Sequence, residues 1–308
     1  MRRLRWSMIL AAIMLVAVAQ QASAQTPLLA LLDSLLAKRP ILLGTTGACN
    51  NDFPGGPCTQ NSTLVLLNAK TGALIKTIGP VGFTVNGLAW DRTSFTLYAT
   101  TAIGCGLPGS VCPFHGLITI NPFTGAGKPV NKQVVNFGLT GEDSPIHSIT
   151  IDPFGQMVGW YDEFGNGPVG ENIDTYVRIN QHTGVATEFP GTGIDTAANG
   201  VSFGEFNLLW NIDTARRVSP GAPLTQTAYI LNPFNGRPFA SVPLTPPTMA
   251  ALGDFLPGTN RYYGLNFTSF STDPTFIEVV DLDPIHGTGT VSQLGQTVDN
   301  LHTIAFIP

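Results

Sequence analysis

An all-β fold built from a repeated four-stranded unit is what this 308-residue sequence predicts, on three observations. The chain carries 34 Gly and 24 Pro and is only 11% charged, a composition that suits many short strands joined by turns. One strand-and-turn phrase recurs, as LVLLNAKTG (64–72), LITINPFTG (117–125), YVRINQHTG (176–184) and AYILNPFNG (228–236). A second phrase recurs between these, as NGLAWD (86–91), HSITID (147–152), NGVSFG (199–204), AALGDF (250–255) and HTIAFIP from His302 to the end. Its starts lie about 61, 52, 51 and 52 residues apart, a period read first as a propeller or a solenoid.

From the N-terminus, Arg2, Arg3 and Arg5 precede an apolar run from Met8 to Ala19, and Ala22-Ser23-Ala24 offers a small-residue cleavage site. This reads as a signal peptide over 1–24, too short an apolar run for the roughly 20 residues a bilayer span needs. Removing it takes the formal charge from −5 to −8. The expected location is secreted or periplasmic, with no membrane span left in the mature chain. Residues 25–40, QTPLLALLDSLLAKRP, have leucine spacing that permits a short helix, expected as a cap or linker before a single domain at 41–308.

That domain opens with ILLGTT (41–46), STLVLL (62–67) and ALIKTI (73–78). The next period supplies all four strands of one unit: NGLAW, TLYATT (96–101), GLITIN (116–121) and KQVVNF (132–137). Their β-branched and aromatic enrichment between Gly, Pro and Asn is a strand signal. In the Asn-Pro-x-Thr/Asn-Gly turns, Pro presets φ and Gly accepts the positive φ that ends the turn. The first three strands lack a partner for a first position, and HTIAFIP supplies one. The prediction is a five-bladed β-propeller of four-stranded blades, closed by the N- and C-terminal strands, with a six-bladed ring as the alternative.

The LNAKTG and INPFTG turns resemble those of extracytoplasmic quinoprotein-like and WD40-like propellers, over roughly 41–308. The resemblance implies the fold. The regular Trp of quinone-binding propellers is missing, so it implies no quinone cofactor.

Three motifs with chemical associations are explained by position. Gly200-Val-Ser-Phe-Gly204 lies inside a first strand rather than on a strand-to-helix elbow. Gly104-Cys-Gly-Leu-Pro-Gly109 sits between cysteines with a Pro, where no helix can open. Asp281-Leu-Asp283 starts like a calcium loop but lacks the remaining ligands.

The four cysteines fall in two close pairs, Cys49 with Cys58 and Cys105 with Cys112, each bracketing a Gly/Pro-rich loop. They are expected to form two local disulfides in an exported protein. Aligned first strands bring Asn86, His147, Asn199 and His302, with Ala250, to one level of a central channel, where they could hold a metal, water or polar ligand. Loops between second and third strands should open on the same face. They carry Asp162, Glu163, Asn166 and Glu171 in one repeat, and Asp213, Arg216 and Arg217 in the next, with Glu142 and Asp143 nearby. These groups suit a carbohydrate, a peptide, or a hard cation such as calcium or another divalent metal. Phe53, Phe114, Trp160, Tyr161 and Phe164 lie in or beside the loops and could stack on a ligand.

An acidic, weakly charged chain lacks the clustered Lys and Arg of nucleic-acid binders. The leading functional expectation is a secreted binding module for an extracellular glycan or protein. The alternative is a carboxylate- or metal-dependent hydrolase or lyase, glycosidase- or lactonase-like, at the axis. A glycosidase needs two carboxylates about 5–9 Å apart, and the aligned channel positions contain no acid.

Overall fold

In the computed structural model, residues 40–47, 61–101, 116–134, 136–139, 146–161, 173–189, 191–196, 200–217, 221–248, 251–266 and 275–308 are described. Among them the chain is all-β, with only two single-turn 3-10 segments. The first meander contributes β1 (Ile41–Thr46), β2 (Thr63–Leu67) and β3 (Leu74–Pro80), and the second β4 (Val85–Asp91), β5 (Thr96–Thr101), β6 (Leu117–Ile120) and β7 (Gly127–Pro129). The third is β8 (Ser148–Ile151), β9 (Met157–Tyr161), β10 (Thr175–Ile179) and β11 (Ala186–Phe189). The fourth runs β12 (Gly200–Phe203), β13 (Leu209–Ile212), then a two-residue ribbon β14 (Arg216–Arg217) and β15 (Leu224–Thr225), then β16 (Thr227–Leu231) and β17 (Pro238–Thr245). The last is β18 (Ala251–Phe255), β19 (Arg261–Asn266), β20 (Phe276–Asp283) and β21 (Thr288–Gln296), followed by β22 (Leu301–Ile307).

β22 pairs with β1, Ile41 opposite Ile307 and Leu43 opposite Ala305, so the last strand completes the first sheet in the order β22-β1-β2-β3. The fourth and fifth meanders merge into one eight-stranded sheet through a short parallel contact of β17 with β21, Leu244 opposite Gly289. The first strands touch in a closed cycle, β4 to β8, β8 to β12, β12 to β18, β18 to β22 and β22 to β4. The arrangement is propeller-like.

Packing between sheets explains why these strands are apolar on both faces. Trp160 and Tyr176 of the third sheet pack with Val201 and Leu209 of the fourth. Trp210 and Ile230 of the fourth pack with Phe255 and Tyr262 of the fifth. Leu265 and Ile277 of the fifth then pack with Leu42 and Leu67 of the first. The fourth and fifth meanders are thus each core for two neighbours.

The recurring turn has a cause beyond Pro and Gly. The side chains of Asn68, Asn121, Asn180 and Asn232 accept the amide two residues on, at 2.8–2.9 Å. Their carbonyls accept from Gly72, Gly125, Gly184 and Gly236, at φ from +72° to +82°. Such Asx turns fix the hairpin locally. Asp283 repeats the device, its Oδ1 accepting from Ile285 and His286 ahead of Gly287. The stretch that begins like a calcium loop is therefore the fifth copy of the turn.

One predicted strand is corrected. The fourth strand of the second sheet is β7 at 127–129, not 132–137, because the Gly127 amide and the Val130 amide bond to Val81 and Leu117 carbonyls first. Phe137, at φ +53°, is instead a fully buried plug in the core between the second and third sheets. Its apolarity mimicked a strand.

Candidate functional site

The axis is built by side chains that tie four successive pairs of first strands. The Thr100 hydroxyl accepts from the Gly87 amide and donates to the Ile146 carbonyl, both 2.8 Å, linking β4 to the lead of β8. Ser148 Oγ accepts from the Val201 amide (2.9 Å) and donates to its carbonyl (3.3 Å), linking β8 to β12. Ser202 Oγ donates to Asp254 Oδ1 (2.6 Å), linking β12 to β18. The Phe306 amide donates to Asp254 Oδ2 (2.8 Å), linking β18 to β22. Ser202, the central residue of the G-x-S-x-G match, is thus a strand tie.

Asp254 was missed in the sequence because it arrives by a bulge. The β18–β19 register slips between Ala251 and Asp254, with Leu252 at φ +42°, which turns the carboxylate toward the axis where a regular strand offers Gly253. Oδ1 also accepts from the Phe255 amide at 2.8 Å. Burial raises its pKa, opposed by the Ser202 hydroxyl, the Phe306 and Phe255 amides and the charge of Arg92. The side chain still keeps some open surface.

That surface faces a cavity of about 170 Å³ at the end of the channel where the first strands finish. Residues of all five meanders line it: Trp90 and Arg92 from the second, Ile149 and Thr150 from the third, Phe203 to Asn207 from the fourth, Asp254 from the fifth and Phe306 from the strand that completes the first. Glu205 receives a hydrogen bond from Asn260 Nδ2 (3.2 Å). Phe206, 80% exposed, and Asn207 stand at φ +57° and +58° on its rim. Non-glycine residues in this region carry strain, which clusters at functional sites.

At the opposite end, where the first strands start, the predicted mouth is partly described. Asn86 and His147 are buried. His302 lies close enough to His147 to sense its charge, and burial first, then His147, push its pKa down to about 3. The two imidazoles are brought together, and His302 is neutral at physiological pH. Asn199 and Ala250 lie outside the described residues. Among the described residues no group of three His, Cys, Asp or Glu gathers as metal ligands.

Of the loop candidates, Asp162, Glu163, Asn166 and Glu171, with Glu142 and Asp143, lie outside the described residues, as do Phe53, Phe114, Phe164 and the 104–109 glycine motif. Cys49, Cys58, Cys105 and Cys112 lie outside them too, so the expected pairing of Cys49 with Cys58 and of Cys105 with Cys112 rests on the sequence. Arg216 and Arg217 are in the ribbon, opposite Thr225 and Leu224, rather than in an open loop. Two expectations are corrected. Asp213 is buried (3% exposed), its carbonyl accepting from the Gln226 side chain, so it is not a rim acid. Trp160 has no exposure to offer a ligand and donates its indole N–H to Asp174 Oδ2 at 3.1 Å.

Asp174 heads a device that repeats at the start of third strands. Its Oδ2 accepts from the Thr196 amide (2.8 Å) and the Thr196 hydroxyl, tying the chain that leads into β12. Ser62 takes the Val85 amide (2.9 Å) and Gln226 takes the Thr248 amide (2.8 Å) in the same way. The acid is structural, and burial raises its pKa to about 7, with the Thr196 and Trp160 hydrogen bonds opposing and Asp195 adding a smaller upward push.

No family model matches the chain and no curated protein matches it. Solved structures similar to it include the periplasmic gluconolactonase of Pseudomonas aeruginosa, at 11% identity and a TM-score of 0.40, covering 82% of each chain. A gluconolactonase of Xanthomonas campestris matches at 12% identity and a TM-score of 0.40, over 83% of this chain and 76% of that one. A Dyadobacter fermentans protein of unknown function matches at 11% and 0.47, over 83% and 72%. These likenesses carry no argument about activity or substrate. Among the described residues, no helix is long and apolar enough to cross a membrane.

Proposed function

We propose that the chain is a five-bladed β-propeller, exported by its N-terminal signal and working as a binding module whose ligand sits on the axis. The observation that carries this reading is the cavity that all five meanders line, with Asp254, Glu205 and Arg92 among partly exposed aromatic residues. A concave site of mixed aromatic and charged lining, on a scaffold tied strand to strand, is the usual form of a ligand pocket. In this proposal the loop residues Asp162, Glu163, Asn166 and Glu171, with Arg216 and Arg217 of the β14–β15 ribbon, frame the other face, toward a glycan or protein partner. Disulfides between Cys49 and Cys58 and between Cys105 and Cys112 would brace two loops of the exported chain. The test is a thermal-shift screen of the chain from Gln25 onward against small metabolites, repeated with Trp90→Ala and Glu205→Gln. A ligand that raises the melting temperature of the wild type and loses affinity in both variants supports the axial site. A ligand indifferent to both refutes it.

A second reading, a hydrolase at the axis, is favoured by one observation. Asp254 provides the channel acid that strand alignment alone did not find, beside the Ser202 hydroxyl. Hydrolysis of lactone or glycoside substrates by the wild type, lost in Asp254→Asn with the fold intact by circular dichroism, would select it. Binding without turnover would select the module.

A further inference from the structure

We propose that the axial cavity takes a small protonated amine with an apolar or aromatic body, its ammonium donating to Asp254; this rests on the axial site proposed above. The acceptor inventory of the carboxylate points to a donor. An ionised Asp offers about four lone-pair sites. Oδ1 receives the Ser202 hydroxyl and the Phe255 amide, while among the described residues Oδ2 receives only the Phe306 amide. One Oδ2 site is left for a further N–H, on a side chain that keeps surface in the cavity.

The rest of the lining fits the same ligand. Glu205 and Asp254 outnumber Arg92, so a cation meets a net negative wall. Trp90 and Phe203 are half-buried and Phe206 is exposed, leaving ring surface for an apolar body or for the cation itself. The size agrees, since an apolar cavity of about 150 Å³ suffices to bind benzene and this one is about 170 Å³. A benzene ring with a one-carbon ammonium arm matches that space.

Around Asp254 stand the Ser202 hydroxyl bonded to it, Arg92 and Glu205 in the same cavity lining, and Tyr262, whose hydroxyl feels its charge. Ammonium binding requires the ionised carboxylate, so affinity rises with pH until Asp254 is fully ionised, and falls again only where the amine itself deprotonates.

The experiment uses three probes of nearly one shape: benzylamine, benzyl alcohol and benzoate, titrated calorimetrically into the chain from Gln25 onward. Benzylamine should bind at least about tenfold more tightly than benzyl alcohol, the difference one charge-assisted hydrogen bond makes, and benzoate should not bind. Asp254→Asn should abolish the preference. Because Asp254 also ties two strands and its variant could misfold, Glu205→Gln provides an independent reading, with a several-fold loss for benzylamine alone. The three probes binding alike, benzylamine not binding, or its affinity being unchanged in Glu205→Gln and falling with pH would overturn the proposal. If the metabolite screen yields a neutral or anionic ligand that is sensitive to Trp90→Ala, the axial site stands and the amine class fails. If benzylamine binds but is indifferent to all cavity variants, both fail.

Discussion

Replacing Asp174 with Asn should change not only how stable the protein is but how its stability depends on pH. Asp174 is fully buried; Oδ2 takes three donors, and Oδ1 has none among the described residues. Burial raises its pKa from 3.8 to about 7. Because the folded value lies above the unfolded one, the folded state holds this proton more tightly. The contribution to stability is fully present below about pH 4 and is lost as pH rises through about 7. A shift of about three units at 1.36 kcal/mol each gives roughly 4 kcal/mol across that window. Asparagine keeps the shape and an acceptor for Trp160 and Thr196 but never ionises. Urea denaturation of both proteins at about pH 4.5, 6 and 7.5 reads the difference directly, since other titrating groups cancel. Asp174→Asn should be close to neutral or mildly destabilising at the acid end and gain by a few kcal/mol at the alkaline end. A difference that does not change with pH would refute the buried, protonated acid.

His302 predicts the opposite slope. Its pKa is lowered to about 3, so the unfolded chain binds the proton more tightly, and stability falls as pH drops from about 6.5 toward 3; His302→Gln should flatten that fall in the same denaturation series. Ser202→Ala removes the hydroxyl from a half-buried carboxylate and should cost about 1–3 kcal/mol by urea titration; an unchanged midpoint would mean the tie contributes nothing. Gly125→Ala and Gly82→Ala separate strain from crowding. Both glycines stand near φ +80°, but a Cβ at 82 meets nothing, whereas one at 125 comes within 2.7 Å of the Gly79 carbonyl carbon. Calorimetric melting should show about 1–2 kcal/mol lost at Gly82 and clearly more at Gly125.

The sequence made the strand repeat legible because the inner strands of each meander are largely buried and each recurring hairpin carries its own Asn or Asp and Gly. Pairing of ILLGTT with HTIAFIP followed from counting strands, and β22 lies against β1 as expected. Two things were hidden. The 127–129 strand is three residues of Gly, Lys and Pro, with no apolar signature, held by backbone bonds to its neighbours. Asp254 was hidden because alignment by phrase assumes one residue per rung, and a bulge breaks that rule just before it. Only the positive φ of Leu252 and the odd Gly253-Asp254 in an otherwise apolar first strand hinted at it, and φ is not written in a sequence.

The pairing of β22 with β1 also sets how the molecule must come apart. In an open stack of repeats, an end unit can fray while the others stay folded. Here the first sheet is incomplete until the last strand arrives, and Ile41 meets Ile307 from the far end of the domain. Contacts of that sequence separation form late and slowly. Once made, they leave no terminal repeat from which unravelling can start, so the ring should be lost in one cooperative event whose barrier protects the protein for longer than its equilibrium stability alone would suggest.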